Sequence, residues 1–396
     1  MLVALIASFY VVSGQCALSQ TQKPANLPSP GQIGDVVCIS DAAQSYALYL
    51  PSAYVAAKRW PIIYFFDPAG RGRRPLELYK EIAETYGFIL AGSNNSRNFS
   101  SDQGIAVNAI WEDTHARLEL DEHRSYASGF SGGARVAGAM ALTGPQSQIA
   151  GVIAHGAGYP SGKARSKDTL PYFFAVGDQD FNWPEVINIR REREEQGSPY
   201  RVRVYAGRHQ WAPAAVMEEA VQYMNLKAMQ AGNLRPDGAF VDHLFDKARA
   251  EAAEAEARKD PIEQLNSYRS LVADFSGLRE EKGPAEKLTA LQQSPGLKAA
   301  LKGEREQMAE QLKLEQEVSQ KITSIANNSA PDTPALRIEV RQQMGALGDQ
   351  AKHSKNEMKR LIAAGHLAAS SWAPLRTASR NLPRDISKKP RPISTS

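Results

Sequence analysis

The chain has 396 residues, of which 42% are hydrophobic and 23% charged, with a net charge of +4. That length accommodates two domains, or one large domain with an appendage. So small a charge does not imply nucleic-acid binding, and most of it traces to the C-terminus, where Arg376, Arg380, Arg384, Lys388, Lys389 and Arg391 face only Asp385; that tail reads as solvated, with contact to a membrane or nucleic acid as the alternative.

Residues 2–12 are apolar except for Ser8. The run is too short to span a bilayer and suits the hydrophobic region of a secretory signal. The basic stretch that usually precedes such a region is missing. Small residues follow, with cleavage sites at Gly14, Cys16 or Ser19. The reading is a signal over 1–19 and an exported, periplasmic or secreted protein; a buried N-terminal strand or helix is the alternative. Cys16 and Cys38 are the only cysteines, so there is no disulfide framework and no cysteine metal site. Residues 20–32 are rich in Pro, Gln and Ser and read as a linker.

Strands and helices then alternate. Residues 35–40 and 44–50 read as an opening hairpin, because Tyr46, Leu48 and Leu50 alternate with other residues. Residues 61–66 form an apolar run typical of a buried parallel strand. A helix is predicted over 75–86, with Pro at its start, then a strand over 87–93 and a helix over 106–118. A short strand over 124–128 leads into Gly129-Phe130-Ser131-Gly132-Gly133, and a helix over 134–142 follows. Further strands are predicted at 149–154, 171–176 and 201–205, with helices at 183–195 and 212–229. The alternation predicts an α/β fold, a mostly parallel sheet flanked by helices. Its ligands would gather at the carboxyl ends of the strands.

Beyond residue 232 no strand signal appears, and Ala, Glu, Lys, Gln and Arg dominate. Residues 248–275 read as two antiparallel helices broken near Lys259-Asp260-Pro261, and Leu314, Val318, Ile322 and Ile325 recur at helical spacing. The all-α region is assigned to 232–372. It is similar to degenerate tetratricopeptide-type repeats, without a clear period. Residues 373–396 read as a disordered basic tail.

The sequence Gly129-Phe130-Ser131-Gly132-Gly133 has the G-x-S-x-G form of a nucleophile elbow, and roughly 0.1 such matches are expected by chance in a chain this long. Strand, elbow and helix in succession is the context the motif requires. A serine hydroxyl needs a base, and the base an orienting acid. In folds with this elbow the order is serine, acid, histidine. The strand at 171–176 runs into Gly177-Asp178-Gln179-Asp180, and the strand at 201–205 into Ala206-Gly207-Arg208-His209. Asp180 and His209 are therefore the candidate acid and base. Asp178, nearer its strand, is the alternative acid or a holder of the turn backbone. His115, His123 and His155 precede the acid and read as structural; His243, His353 and His366 fall in the helical region.

A tetrahedral oxyanion needs two donors. One is the backbone N–H of Gly132. The other is sought in the loop after 61–66, Asp67-Pro68-Ala69-Gly70, where Pro68 has no N–H and Ala69 or Gly70 remains. An Asp67 carboxylate aimed at the oxyanion would oppose catalysis. It is expected to turn away, toward an arginine of Arg71-Gly72-Arg73-Arg74. Those arginines read either as a solvated basic loop or as a recruiter of anionic substrate. Asn94-Asn95-Ser96-Arg97-Asn98 sits at the same edge, as pocket lining or as an Asn-stabilised turn. No phosphate loop, dinucleotide fingerprint or metal-ligand cluster is present, so no cofactor is implied.

With these residues in place, the domain assigned to 33–231 resembles, over residues 33–229, the α/β-hydrolase superfamily, and within it the secreted polyhydroxybutyrate depolymerase and feruloyl esterase-like proteins. The likeness rests on the elbow, on Gly177-Asp178-Gln179-Asp180 and on Gly207-Arg208-His209-Gln210-Trp211-Ala212-Pro213. The resemblance implies an α/β-hydrolase fold and a Ser131–His209–Asp180 triad acting on carboxylic esters through an acyl-enzyme. The chain departs from the family pattern at Asp67-Pro68, where His-Gly is usual. About 16 residues separate the strands at 149–154 and 171–176, which leaves no room for a large cap. The open site suits polymeric or bulky esters, and the helical region would serve for contact with a protein partner. A binding or scaffold protein on a retired hydrolase fold, and a serine peptidase of the same fold, are the alternatives.

Overall fold

In a computed structural model, residues 27–142, 148–159 and 169–306 are described continuously, with isolated positions at 308, 309, 313, 342, 345 and 349. The signal, Cys16, the helical spacing at 314–325 and the basic tail lie outside the described residues.

The N-terminal hairpin is β1 (Ile33–Val37) and β2 (Ser45–Tyr49). The alternating units that follow are β3 (Trp60–Phe66), α1 (Arg73–Tyr86), β4 (Ile89–Ser93), α2 (Gln103–Arg117), β5 (Leu120–Phe130), α3 (Gly132–Met140), β6 (Ile149–His155), β7 (Tyr172–Gly177), α4 (Trp183–Gln196), β8 (Tyr200–Tyr205) and α5 (Ala214–Gln230). They build one eight-stranded sheet in the order β1-β2-β4-β3-β5-β6-β7-β8. β1–β2 and β2–β4 are antiparallel and every later pairing is parallel. This is the strand order of the α/β-hydrolase fold.

The continuous apolar run of β3 follows from burial on both faces. Ile62, Tyr64 and Phe66 enter the core beneath α2, α3 and α4, while Ile63 and Phe65 enter the core beneath α1 and α5. A strand covered on both sides has no polar face to alternate with. Through α5 the element boundaries differ from expectation by up to four residues, and two of the differences follow from glycine. Gly87 is not in β4; it is the left-handed C-cap of α1, with φ 68°, a conformation glycine takes without steric cost. β5 extends through Gly129 and Phe130, and α3 begins at Gly132. Glycine has low intrinsic preference for either element, so propensity alone places the strand end and helix start too far apart.

The later helices are α6 (Gly238–Arg258), α7 (Pro261–Asp274) and α8 (Lys282–Gln293), and a further helix runs over 295–306. The break between α6 and α7 has a local cause. Lys259 caps α6 in the left-handed region at φ 55°. Asp260 Oδ1 then accepts the N–H groups of Ile262 and Glu263, with Pro261 at the first helical position. α5 belongs to two cores: Val216, Met217 and Ala220 pack under the sheet, while Leu226 and Met229 join Val241, Leu244, Phe245 and Leu271.

Ion pairs, buried at Asp274 and Glu304 and half-buried at Arg203, tie the later helices to β8 and α4. Asp274, 2% exposed, accepts Arg201 of β8 at 2.6 Å and Lys227 of α5 at 3.1 Å. Arg203 of β8 reaches Glu219 at 2.6 Å and Glu251 of α6 at 3.2 Å, and Arg190 of α4 holds Glu304 at 3.0 Å. Removing one partner of a buried pair leaves a desolvated charge behind. Asp274→Ala is therefore expected to lower unfolding stability by about 3 kcal/mol, read as a lower urea midpoint with unchanged slope.

Candidate active site

The site forms where β5 turns into α3. Ser131 has φ 55° and ψ −121°, outside the regions open to most residues with a side chain. Such strain persists only where the surroundings fix it. The N–H of Ser131 donates to the His155 carbonyl at 2.8 Å, and the N–H of Ala134 donates to the Ser131 carbonyl at 3.0 Å. The flanking glycines are needed for space. A side-chain carbon at Gly129 would overlap the Gly133 carbonyl, and one at Gly133 would overlap the Phe66 carbonyl. The turn thus lifts Oγ above the carboxyl ends of β3 and β5, where Ser131 stays partly open to solvent.

His209 arrives from the loop after β8. Its Nε2 lies 2.9 Å from Ser131 Oγ. Its Nδ1 lies 2.9 and 3.0 Å from the two carboxylate oxygens of Asp180, a residue only 1% exposed. Asp180 Oδ1 also accepts the N–H of Asn182 at 2.8 Å. With Nδ1–H donating to Asp180, Nε2 is left as acceptor for the serine proton. Phe130 and Phe181 flank the imidazole, with ring centroids at 4.6 and 4.2 Å. Gly156, at φ 59°, supplies the space behind the pair. A side-chain carbon there would lie 2.7 Å from Asp180 Oδ2 and 3.3 Å from His209 Nδ1. Asp178 sits outside this cluster; its Oδ1 accepts the Gly207 N–H at 2.9 Å and so stitches the loops after β7 and β8.

The loop after β3 differs from expectation. Asp67 is fully buried and does turn from the elbow. It receives Arg71 Nε at 2.9 Å and Arg71 Nη2 at 3.1 Å, and Trp211 Nε1 at 3.0 Å. The same residue takes both amides assigned to the oxyanion: Ala69 N–H donates to Asp67 Oδ1 at 2.9 Å, and Gly70 N–H to the Asp67 carbonyl at 2.9 Å. A buried carboxylate attracts every donor its own turn offers, and Asp-Pro-Ala-Gly has the residue preferences of a tight turn. Of the expected oxyanion donors, the Gly132 N–H stands in the first turn of α3, where helix amides lack intrahelical acceptors. Arg73 reaches the Ile33 carbonyl and Asp35, and Arg74 is exposed. Asn95 bonds Ser45 N–H and the Ala43 carbonyl, which is the turn-holding role. Asn98 lies against Gly132.

Sequence reasoning missed Gly156, Asn182, Phe181 and the Trp211 indole as parts of the site. Asp-x-Asn at 180–182 was the one local signal, since an Asp commonly caps the amide two residues on. His115, His123 and His243 are not part of this cluster. His115 stacks on Trp111, and burial lowers its pKa; His123 and His243 are exposed. His353 and His366 lie outside the described residues.

His155 ends β6 beneath the elbow, stacked on Tyr79 and packed on Trp211. Its Nε2 lies 3.2 Å from Ser128 Oγ. Burial pushes its pKa down to about 3.

No family model matches the chain, and no curated protein matches it. Solved structures are similar at low identity. The S-formylglutathione hydrolase of Staphylococcus aureus is 11% identical with a TM-score of 0.40, over 50% of this chain and 99% of that one. Esterase 2 of Thermogutta terrifontis, phosphonylated by sarin, is 15% identical with a TM-score of 0.39, over 53% and 99%. A ferulic acid esterase is 14% identical with a TM-score of 0.37, over 48% and 93%.

An unfolded histidine protonates near 6.5, but His155 in the fold only near 3. Acid therefore favours the unfolded chain, and the stability present at pH 7 drains as pH falls through that window. Between pH 7 and pH 5 the wild type is expected to lose about 2 kcal/mol more than His155→Gln, measured as urea midpoints at both pH values.

Proposed function

We propose that this chain is a serine hydrolase that cleaves carboxylic esters through an acyl-enzyme. The observation that carries the reading is one continuous hydrogen-bonded line, Asp180 to His209 Nδ1 and His209 Nε2 to Ser131 Oγ, ending on a serine held at a strained strand-to-helix turn.

The chemistry follows from those atoms. His209 Nε2 takes the proton as Ser131 Oγ adds to the ester carbonyl. The imidazolium is stabilised by Asp180, which also fixes the tautomer. The carbonyl oxygen becomes an oxyanion near the Gly132 N–H and the N-terminal end of α3, where partial positive charge favours it. Collapse breaks the bond to the alcohol, and His209 returns the proton to that leaving oxygen. Water, deprotonated by the same histidine, then attacks the acyl-enzyme; the acid leaves and Ser131 regains its proton. Phe130 and Phe181 keep the imidazole on an apolar bed, which strengthens its bonds to both partners.

Export is part of the proposal, supported by the apolar run at 2–12 and the small residues after it. Among the described residues no helix is long and apolar enough to cross a membrane.

The test uses the full chain, a fluorophosphonate probe and a panel of p-nitrophenyl esters. The wild type should be labelled and should turn over an ester. Ser131→Ala should lose labelling, and His209→Ala and Asp180→Asn should each lose about 10⁴-fold in kcat while circular dichroism stays unchanged. A folded wild type that neither labels nor turns over any ester sinks the reading. Turnover of amides in preference to esters would reassign the chain to peptidases.

A further inference from the structure

The proposed reaction needs a second oxyanion donor, and the two amides nearest in sequence do not supply it. Ala69 and Gly70 both give their hydrogens to Asp67. Asn98 stands beside the elbow, against Gly132.

Three observations place it there. The loop carrying Asn98 is pinned to the loop after β3: Asn98 N–H donates to the Pro68 carbonyl at 2.9 Å, and Arg97 bridges Ala69. The loop is also held from the other side, by Gln103 Nε2 on the Arg97 carbonyl at 2.7 Å. Last, the Asn98 carboxamide covers Gly132, the residue after the nucleophile. A side-chain carbon at 132 would overlap Asn98 Oδ1 and lie 2.9 Å from Nδ2. Gly132 is not among the residues with positive φ, so its backbone conformation does not demand glycine. The space taken by Asn98 does.

We infer that the Asn98 side-chain amide is the second oxyanion donor, sharing with the Gly132 N–H the carbonyl oxygen of an acyl substrate attacked by Ser131. The inference rests on the serine-hydrolase reading. A half-turn of the carboxamide about its last bond exchanges Oδ1 and Nδ2, so the donor faces the site when charge develops there. No proton passes through Asn98. It holds the oxyanion by a charge-assisted hydrogen bond that strengthens as the carbonyl bond opens, which lowers the barrier without tightening substrate binding. The backbone anchors fix the loop before the reaction, so the half-turn of the carboxamide is the one adjustment left to make.

The experiment compares full-length wild type, Asn98→Ala, Asn98→Asp, Gly132→Ala and the Asn98→Ala/Gly132→Ala pair. The readouts are the second-order rate of fluorophosphonate labelling and the kcat and KM for p-nitrophenyl butyrate, with circular dichroism as the folding check. Asn98→Ala should lower kcat and the labelling rate by about 10²- to 10³-fold with KM nearly unchanged. Asn98→Asp should be slower still at pH 8, and its ratio to wild type should recover toward acid, as the carboxyl gains a proton it can donate. Gly132→Ala displaces the carboxamide, so it should be costly in the wild type and nearly silent in the Asn98→Ala background. A labelled, active Asn98→Ala within about threefold of wild type overturns the assignment and leaves the hydrolase reading standing. A loss confined to KM, or additive losses in the double variant, also overturns it. A folded wild type that neither labels nor turns over the ester sinks both.

Discussion

Everything at the carboxyl edge of the sheet depends on a turn that has room for nothing larger than hydrogen. Ser131 is held at φ 55° because Gly129 and Gly133 let β3, β5 and α3 close on one another until carbonyl oxygens fill the space side chains would need. Interiors packed to crystal-like density do not relax to accept a methyl group cheaply. The strain is therefore sustained by the two cores on either face of the sheet, and not by any single bond at the site. The His155 carbonyl, which receives the Ser131 N–H, ends the neighbouring strand and completes the clamp.

The second organising group is a charge. Asp67 is wholly buried, and Arg71, Trp211 and the Ala69 amide converge on its carboxylate. Trp211 belongs to the segment that carries His209, and Arg71 to the loop after β3. One carboxylate thus fixes the distance between the loop beside the elbow and the loop that delivers the base. A buried carboxylate is tolerated only when its lone pairs are met. Here meeting them determines which amides remain to face a substrate, and the consequence passes to Asn98.

Much of this was legible in the residues. The apolar run at 61–66, the alternation after it and the Asp-Pro break at 260–261 locate strands and helices because burial and capping act locally. Ser131, Asp180 and His209 were nameable from their positions after strands, and the structure brings Asp180 and Ser131 within 3.0 Å of the two ring nitrogens of His209. The parts that were not legible are those decided by space. Nothing local announces that Gly132 makes room for a residue 34 positions earlier, or that Gly156 does so for the Asp180–His209 pair. Asp67 shows a third kind of limit. Its turning away was readable from electrostatics. Its capture of Ala69 and Gly70 was not, because that depends on how tightly the turn closes.

The sheet has two outer strands, and they are finished differently. β1 carries a short antiparallel edge, while β8 ends the parallel series. α7 runs beside the outer edge of β8 across a cavity of about 610 Å³, with Gly197 to Val204 on one wall and Asn266, Ser267 and Ser270 on the other. An open strand edge is a template for a foreign strand, and proteins that keep one blunt it with charge or cover it. Here Arg201 and Arg203 supply the charge, and their carboxylate partners come from α7, α6 and α5. The helical region is thus a fence around the sheet as much as an appendage to it. A chain cut after Gln230 would keep Ser131, His209 and Asp180, yet would present an uncovered parallel edge, with the Arg201 guanidinium orphaned and Arg203 left to Glu219 alone, to every other molecule in solution.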